Sequence, residues 1–272
     1  MKKILIIFFC IIVQFSTLIA GNENNPIGGR SAALGNASVT FSDFWSIHNN
    51  QAGLAYFDNI TAGFYYENRF GLSELSLKSG AFVLPTKSGV FGLSMNYFGY
   101  SQYNENKIGL AYAKSFGKKF SVGIQFDYLS THIAENYGSK SLVTFEIGMI
   151  AKLTENLSIG THFYNPISVK LNDYNDERVP YVGKLGLAYN FSDKVLLSVE
   201  TEKETDIDPI LKAGIEYRLI KEIYVRTGIT TKPFVNTFGF GIKLKKLQFD
   251  FSSSLHPVLG YSPQISFIYN IK

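Results

Sequence analysis

The sequence predicts an all-β chain that closes into an antiparallel transmembrane barrel of about fourteen strands. Three observations support this fold class. The composition is rich in residues that favour strands, with 15% aromatic side chains and 24 glycines. Apolar and polar residues alternate with a period of two in one segment after another. The chain also begins with an apolar segment of the kind that directs export.

Residues 1–20 have the organisation of a signal peptide. Lys2 and Lys3 precede an apolar run from Ile4 to Phe15, and Ala20 provides a small residue for cleavage. A retained membrane anchor is the alternative, but this run of about 12 residues is shorter than the roughly 20 that a spanning helix needs. The only cysteine, Cys10, lies inside the signal. We therefore expect an exported mature chain without disulfides or cysteine-ligated metal.

Strand-like alternation begins at Ile60 and continues to the end of the chain. In FSVGIQFDYL, which starts at Phe120, large apolar residues alternate with serine, glycine, glutamine and aspartate. Strands are predicted near residues 60–67, 73–84, 89–98, 106–115, 119–131, 141–153, 156–164, 179–190, 194–202, 209–219, 222–230, 235–245, 246–255 and 262–271. An even number of antiparallel strands can close on itself. Short turns alternate with longer polar links at 132–140, 166–178 and 202–208, as in outer-membrane barrels.

The alternation leaves open whether the apolar face meets lipid or a protein core. A soluble β-sandwich or lipocalin-like barrel is the alternative, and its polar face would be rich in lysine, glutamate and threonine. Here that face carries glycine, serine and single charges of both signs, which suits a crowded lumen. The charged side chains predicted to face the lumen are Asp127, Glu146, Lys184, Lys212, Glu216, Arg218, Arg226, Lys243 and Asp250. We expect a barrel in the outer membrane of a Gram-negative bacterium, with membrane lipid around it.

Residues 21–57 lack strand alternation and precede the barrel, so they are predicted to form a hatch inside it, with residues 58–272 as the barrel. Ser42 and Asp43 are candidate N-caps for a helical turn, and Asn49 and Asn50 are expected to tolerate left-handed backbone. An ordinary N-terminal loop is the alternative. The residues proposed to form the hatch are Gly29, Arg30, Ser31, Gly35, Trp45, Asn49, Asn50, Gln51, Ala52, Gly53 and Leu54.

Two motifs in this segment resemble the start of FadL-like outer-membrane barrels, and most closely the PorV/PorQ group. One is the run Gly-Arg-Ser-Ala-x-x-Gly-x-Ala, and the other is Asn50-Gln51-Ala52-Gly53-Leu54, where the family commonly has Asn-Pro-Ala-Gly-Leu. The similarity continues through KVLLSVETEK and ILKAGIEYRL to the C-terminus. It implies a fourteen-stranded barrel with an N-terminal hatch and a role in type IX protein secretion, surface-protein handling or hydrophobic transport.

The sequence does not favour catalysis. The histidines His48, His132, His162 and His256 are far apart, and none has metal-site spacing. His132 could be grouped with Asp127 and Ser130 as a hydrolytic set, but an odd separation places Asp127 and Ser130 on opposite faces of one strand. We therefore expect no enzyme activity, catalytic residue, metal or cofactor. The net charge of +4 is not concentrated on one face, so a nucleic-acid partner is not expected either.

Three functions remain. The first is an accessory barrel that contacts secretion-machinery or cargo proteins through its longer links. The second is a FadL-like transporter of long-chain fatty acids or other hydrophobic small molecules, and the third is a structural barrel without cargo. Transport requires a continuous apolar lining, and the apolar residues predicted to line the lumen are few: Ile150, Leu196, Ile268, Leu34, Phe41 and Phe44. The sequence therefore favours the accessory role over transport.

Overall fold

A computed structural model describes residues 24–134, 138–170, 178–205 and 207–271 of the 272-residue chain. The predicted signal at residues 1–20, with Cys10, lies outside the described residues. Among the residues described, no helix combines the length and the apolar character that crossing a membrane requires.

Fourteen strands form the wall of the molecule. They are β1 (Thr61–Asn68), β2 (Ser76–Pro85), β3 (Val90–Gly99), β4 (Tyr103–Phe116), β5 (Phe120–Ile133), β6 (Gly138–Lys152), β7 (Leu157–Tyr164), β8 (Val182–Ser192), β9 (Val195–Glu204), β10 (Ile210–Arg218), β11 (Ile223–Thr230), β12 (Val235–Leu244), β13 (Leu247–His256) and β14 (Gly260–Asn270). Each predicted strand is present, and its ends differ from the prediction by three residues at most. The fold class predicted from period-two alternation is confirmed.

The sheet closes because the first and last strands pair. β1 runs antiparallel to β14, with Thr61 opposite Asn270 and Glu67 opposite Gln264, and every other neighbouring pair is consecutive in sequence. Closure gives the backbone N–H and C=O groups partners within the sheet, which a bilayer interior requires because it offers no water.

The two rims of the barrel differ. One rim, here the short-turn rim, carries the connections 86–89, 117–119, 153–156, 193–194, 219–222 and 245–246, together with the start of β1 and the end of β14. The opposite rim, the long-link rim, carries 69–75, 100–102, 134–137, 165–181, 205–209, 231–234 and 257–259. Two of the three predicted long links are shorter than expected, because β5, β6 and β9 continue pairing beyond the predicted ends.

The outward face of the wall is apolar. Large side chains that are well exposed in the isolated chain recur at every second position, among them Leu110, Phe126, Ile215 and Phe238. A soluble protein does not leave such a continuous apolar surface in water. The soluble sandwich is therefore excluded, and the apolar band suits contact with hydrocarbon.

Candidate functional site in the barrel lumen

Residues 24–57, here the N-terminal segment, lie within the ring of strands. All of the residues proposed for the hatch are buried there except Arg30, which is partly buried. The segment contains the helices α1 (Gly29–Ala33) and α2 (Ser46–Asn49) and a 3₁₀ turn at Gln51–Tyr56. Its contacts begin at β13 with Gly29 and pass along the wall to β6 with Asn50 and β3 with Ile47. The segment therefore lies across the lumen and contacts strands on several sides of it.

Inward-facing glycines allow this close approach. They are Gly63, Gly92, Gly123, Gly148, Gly160, Gly186, Gly214, Gly228 and Gly239, each on a different strand. A Cβ at Gly148 would lie 1.9 Å from Asn50 Oδ1, and one at Gly123 would lie 2.4 Å from the Ala52 nitrogen. Any side chain at these positions would displace the N-terminal segment. We refer to the surface formed by these nine glycines as the seat of the segment.

Local sequence shapes the first helix of the segment. α1 consists of Gly-Arg-Ser-Ala-Ala, whose small side chains suit the narrow space against β12 and β13. The helix ends at Ala33, and Gly35, two residues further on, has a φ of 65°. The Asn36 N–H donates to Ser31 O at 2.9 Å, and the Gly35 N–H donates to Ala32 O at 3.3 Å. This pair of bonds is a Schellman motif, for which glycine in the left-handed region is the favoured residue.

The second helix begins differently from the prediction. α2 starts at Ser46 after Trp45, without a side-chain cap, so the proposed caps Ser42 and Asp43 are wrong. The Asp43 N–H donates to Ser46 Oγ at 3.1 Å, and the Asp43 carboxylate is engaged with Arg30. Because the Asp43 carboxylate binds Arg30, it does not cap the helix. The spacing of residues in the sequence does not predict this ion pair.

The two asparagines of the second motif hold the segment in place. Asn49 bridges the chain to Ile27, accepting its N–H at 3.2 Å and donating to its carbonyl oxygen at 2.9 Å. Asn50 Nδ2 faces Val39 O at 2.6 Å and the wall carbonyls of Thr161 and Met149 at 3.2 and 3.3 Å. Asn50 does not use the left-handed conformation that asparagine tolerates, since its φ of −171° is extended.

A buried polar cluster surrounds Glu146 on β6. Gln51 Nε2 donates to Glu146 Oε2 at 2.7 Å, and His162 Nε2 lies 2.9 Å from the same oxygen. Lys107 on β4 pairs with Glu146 Oε1 and lies 3.7 Å from Asp127 Oδ1. A buried carboxylate is tolerated when it is paired and hydrogen-bonded. The cluster thus joins the N-terminal segment to four strands of the wall through one carboxylate.

A second cluster forms around Arg30 in α1. Its guanidinium makes a two-point contact with Glu216, at 2.9 and 2.8 Å, and a third bond to Asp43 Oδ2 at 3.1 Å. Glu216 also binds Arg226 Nε at 2.6 Å, and Arg226 in turn binds Asp250 at 2.6 Å. Burial lowers the pKa of Arg30, but the charges of Glu216 and Asp43 outweigh this effect and raise its pKa above the ordinary value. Arg30 therefore stays charged and fixes α1 to β10.

A third cluster involves Glu200, which the sequence-based prediction of lumen charges omits. Its Oε2 accepts the backbone N–H groups of Ser38 and Val39, both at 2.8 Å. Its Oε1 lies 3.4 Å from Lys212 Nζ. Lys212 also binds Glu202 at 2.7 Å, and Lys184 lies 3.4 Å from Glu202. A carboxylate that accepts two backbone donors holds this part of the segment against β9.

The structure groups most of the nine charges predicted to face the lumen. Asp127 and Glu146 belong to the first cluster, Glu216, Arg226 and Asp250 to the second, and Lys184 and Lys212 to the third. Arg218 and Lys243 lie on the same face nearer the short-turn rim, where Lys243 is exposed. The prediction missed Lys107, His162, Glu200 and Glu202. Strand parity could have found them, since each lies an even number of positions from an inward glycine or serine on its strand.

An apolar cluster fills the side of the lumen next to β1–β4. Its buried members are Ile27, Phe44, Trp45, Ile47 and Leu54 from the N-terminal segment and Tyr65, Leu77, Val83, Val90, Ala111, Ala113 and Ile268 from the wall. The expectation that few apolar residues line the lumen is therefore wrong. The inward parity of Leu77, Val83 and Val90 could have been assigned from the strand pattern, whereas their contact with Trp45 and Ile47 depends on how the segment folds.

Cavities lie on either side of the N-terminal segment. One, of about 420 Å³, is at the short-turn rim and is lined by Arg30, Asp43, Glu216 and Arg226 among others. Another, of about 320 Å³, is at the long-link rim and includes Asn25, Tyr65, Arg69 and Phe70. Arg30 of α1 lines the first cavity and Ala32 of α1 lines the second, so this helix lies between the two spaces.

The residues considered for hydrolytic chemistry are not assembled. Asp127 is buried in the lumen, whereas His132 Nδ1 lies 2.8 Å from Ser139 Oγ at the long-link rim, where β5 ends and β6 begins. Within the described ranges, no group of three or more histidine, cysteine, aspartate or glutamate residues is arranged to hold a metal ion.

Comparison with known proteins gives similarity at the level of structure. No protein-family model matches the chain. No curated protein sequence matches it either. The toluene transporter TbuX of Ralstonia pickettii superimposes with a TM-score of 0.69 at 12% identity, covering 90% of this chain and 98% of that one. A FadL homologue of Pseudomonas aeruginosa gives 0.67 at 12% identity, with coverage of 90% and 98%.

The toluene transporter TodX of Pseudomonas putida gives a TM-score of 0.64 at 12% identity, covering 92% of this chain and 99% of that one. Identity this low shows the fold alone. The chain has the fold of a FadL-like outer-membrane barrel.

Proposed function

We propose that this protein is a non-enzymatic channel that carries hydrophobic small molecules across the outer membrane of a Gram-negative bacterium. The observation that carries the proposal is the continuous apolar cluster between the N-terminal segment and β1–β4. An apolar solute needs a lining that replaces water without presenting unpaired polar groups. The similarity in fold to TbuX and TodX, which are toluene transporters, supports the same substrate class.

The N-terminal segment serves as the hatch in this proposal. It lies between the two cavities and is held by polar clusters on one side of the lumen and by apolar packing on the other. The apolar side has fewer directional bonds, so a displacement of Ile47 and Leu54 from β3 would open a path along apolar wall. The long-link rim faces the exterior and the short-turn rim the periplasm, as is usual for such barrels.

Uptake measurements test the transport role. The full chain is expressed in a Gram-negative host that lacks its own long-chain fatty acid transporter, and entry of radiolabelled oleate and of toluene is followed. We expect uptake above that of the empty host for at least one of the two probes. Equal uptake with and without folded barrel in the outer membrane would contradict the proposal.

A locked variant tests the hatch. A Cβ at Gly239 would lie 2.7 Å from Ala33 Cβ, so a cysteine there crowds α1 and has to move it away from β12 before the pair reaches the roughly 3.8 Å of a disulfide. The double variant carries Ala33→Cys and Gly239→Cys, and once the predicted signal with Cys10 is removed this pair can form no competing intramolecular disulfide. We expect uptake to fall in the oxidised form and to return after reduction, with the reduced double variant, which carries the same crowding at Gly239, as the control.

A second candidate is an accessory role in type IX secretion or surface-protein handling, as the resemblance to the PorV/PorQ group implies. The observation in its favour is the number of polar bonds that fix the N-terminal segment to the wall. A barrel that binds partner proteins at its rim can keep its lumen closed, so a firmly held segment suits this role. Affinity capture from mild detergent distinguishes the two. Secretion-machinery or cargo proteins that depend on the link 165–181 would favour this role, and co-purified hydrophobic small molecule would favour transport.

A further inference from the structure

The short-turn rim carries an excess of positive charge, which differs from the sequence-based expectation that positive charge is not concentrated. Its six turns contain seven lysines, Lys87, Lys118, Lys119, Lys194, Lys221, Lys245 and Lys246, against the three carboxylates of Glu155, Asp193 and Glu222. By contrast, Lys107 and Lys212 in the lumen and Lys232 at the other rim are each paired with a carboxylate. Within the described part of the chain, Lys221, Lys245 and Lys246 form no ion pair.

These three lysines meet at one groove on the outside of the barrel. The groove has a volume of about 790 Å³ and lies between the β10–β11 turn, the β12–β13 turn and the end of β14. Its apolar wall consists of Leu244, Leu247 and Tyr269, which project outward and are well exposed. An apolar wall directly beside a group of ammonium groups matches a molecule with an acyl chain at one end and an anion at the other.

We propose that this groove binds the headgroup of an anionic phospholipid in the periplasmic leaflet of the membrane. The phosphate diester would accept hydrogen bonds from the ammonium groups of Lys221, Lys245 and Lys246. The glycerol and the first acyl carbons would lie against Leu244 and Leu247. The Tyr269 ring would stay at the level where aromatic side chains of barrels meet the headgroups.

Two further charged residues, Lys243 and Glu222, line the groove. Lys243 adds a fourth positive charge, while Glu222 is the one carboxylate of the groove. The Lys243 N–H donates to Glu222 O at 2.8 Å, which joins the two turns by a backbone bond. Lys246 Nζ lies 3.4 Å from Ile271 O, so this ammonium is oriented by the end of the chain. The two turns that border the groove are therefore joined to each other, and the charge of its lining is positive overall.

Native mass spectrometry of the full chain tests the site. The protein is extracted from vesicles of phosphatidylcholine with a minor fraction of phosphatidylglycerol, and the lipid that stays bound is counted. We expect phosphatidylglycerol to be retained in preference to phosphatidylcholine. The variant with Lys221→Gln, Lys245→Gln and Lys246→Gln should retain about tenfold less of it.

The matched control removes the same charge from the same rim, at Lys87→Gln, Lys118→Gln and Lys119→Gln. This control should keep the bound phosphatidylglycerol. Equal loss in both variants would show a diffuse electrostatic effect and overturn the site, as would equal retention of the two lipids by the unaltered chain. Displacement of the lipid by free glycerol phosphate would assign the groove to soluble phosphate instead.

A variant with arginine at all three positions keeps the charge. It should retain the lipid, which tests the site even if the glutamine variant fails to fold. Loss of lipid from the folded arginine variant would contradict the proposal. The outcome does not depend on transport, because it is read without any hydrophobic substrate.

Discussion

Gln51 Nε2 lies 2.7 Å from Glu146 Oε2, and this bond connects the N-terminal segment to the centre of a buried polar cluster. In the motif that resembles those of FadL-like barrels, Gln51 replaces a proline, a residue that cannot make such a bond. The same amide donates to Ile47 O at 3.2 Å. Gln51 therefore couples the 3₁₀ turn, α2 and β6.

Replacing Gln51 by leucine should loosen the segment. The substitution removes a hydrogen bond to a buried carboxylate, which contributes about 1.5–3 kcal/mol. We expect a lower urea midpoint in detergent and more frequent conductance events in planar bilayers. Gln125→Leu is the control, because Gln125 lies 3.4 Å from the same carboxylate but belongs to the wall. It should lower stability without raising conductance, and equal conductance in the two variants would contradict the role of Gln51.

Arg30 should not be replaceable by lysine. Its two-point contact with Glu216 needs a planar guanidinium, and an ammonium cannot reproduce it. We expect both Arg30→Lys and Arg30→Met to destabilise the segment, the latter by about 2 kcal/mol after allowance for partial solvent screening. Protease cleavage of the segment in folded barrels measures this effect. Arg218→Met serves as the comparison, and cleavage equal to that of Arg30→Met would contradict the prediction.

Gly148→Ala should displace the segment from its seat. The new Cβ would lie 1.9 Å from Asn50 Oδ1, so the Asn50 side chain has to move away from the wall. Overpacking of this kind costs about 1–3 kcal/mol. We expect increased entry of small hydrophilic solutes into proteoliposomes. Gly80→Ala is the matched control, because its Cβ would have only Gly63 O nearby, at 4.0 Å. Unchanged solute entry in folded Gly148→Ala barrels would contradict the claim that the segment needs a glycine at this position to pack against the wall.

Acid should weaken the packing of α2 through His48. Burial, aided by the charge of Lys107 and opposed by that of Glu146, lowers the pKa of His48 from 6.5 to about 3. The neutral imidazole lies 3.1 Å from Ser79 Oγ and stacks on Trp45. Because the folded pKa is below the unfolded one, the stability contributed by neutral His48 is complete above pH 6.5. It is lost as the pH falls toward 3, at about 1.4 kcal/mol for each unit.

Urea unfolding at pH 7 and pH 5 measures the effect. We expect a drop of about 2 kcal/mol that is reduced in His48→Gln. His132→Gln, at a strand end beside Ser139, should keep the full acid sensitivity. Acid sensitivity that is the same in His48→Gln as in the unaltered chain would show that another group titrates.

Much of the wall could be predicted from local pattern. The alternation in FSVGIQFDYL places Ser121, Gly123 and Gln125 inward, and the structure has them there. Strand ends shifted mainly where polar residues continued the pairing, as at the start of β6. Fourteen strands with one apolar face leave closure as the arrangement that satisfies every backbone group in lipid.

The sequence by itself determined the number of strands and which residues share one face of a strand, because a period of two is a property of the extended backbone and is visible over ten residues. Only the tertiary structure decided which inward charges pair and where the N-terminal segment lies. Arg30 meets Glu216 and Ser38 meets Glu200 across separations of 186 and 162 residues. Such contacts form only when the strands close around the segment, so a pattern of neighbouring residues does not predict them.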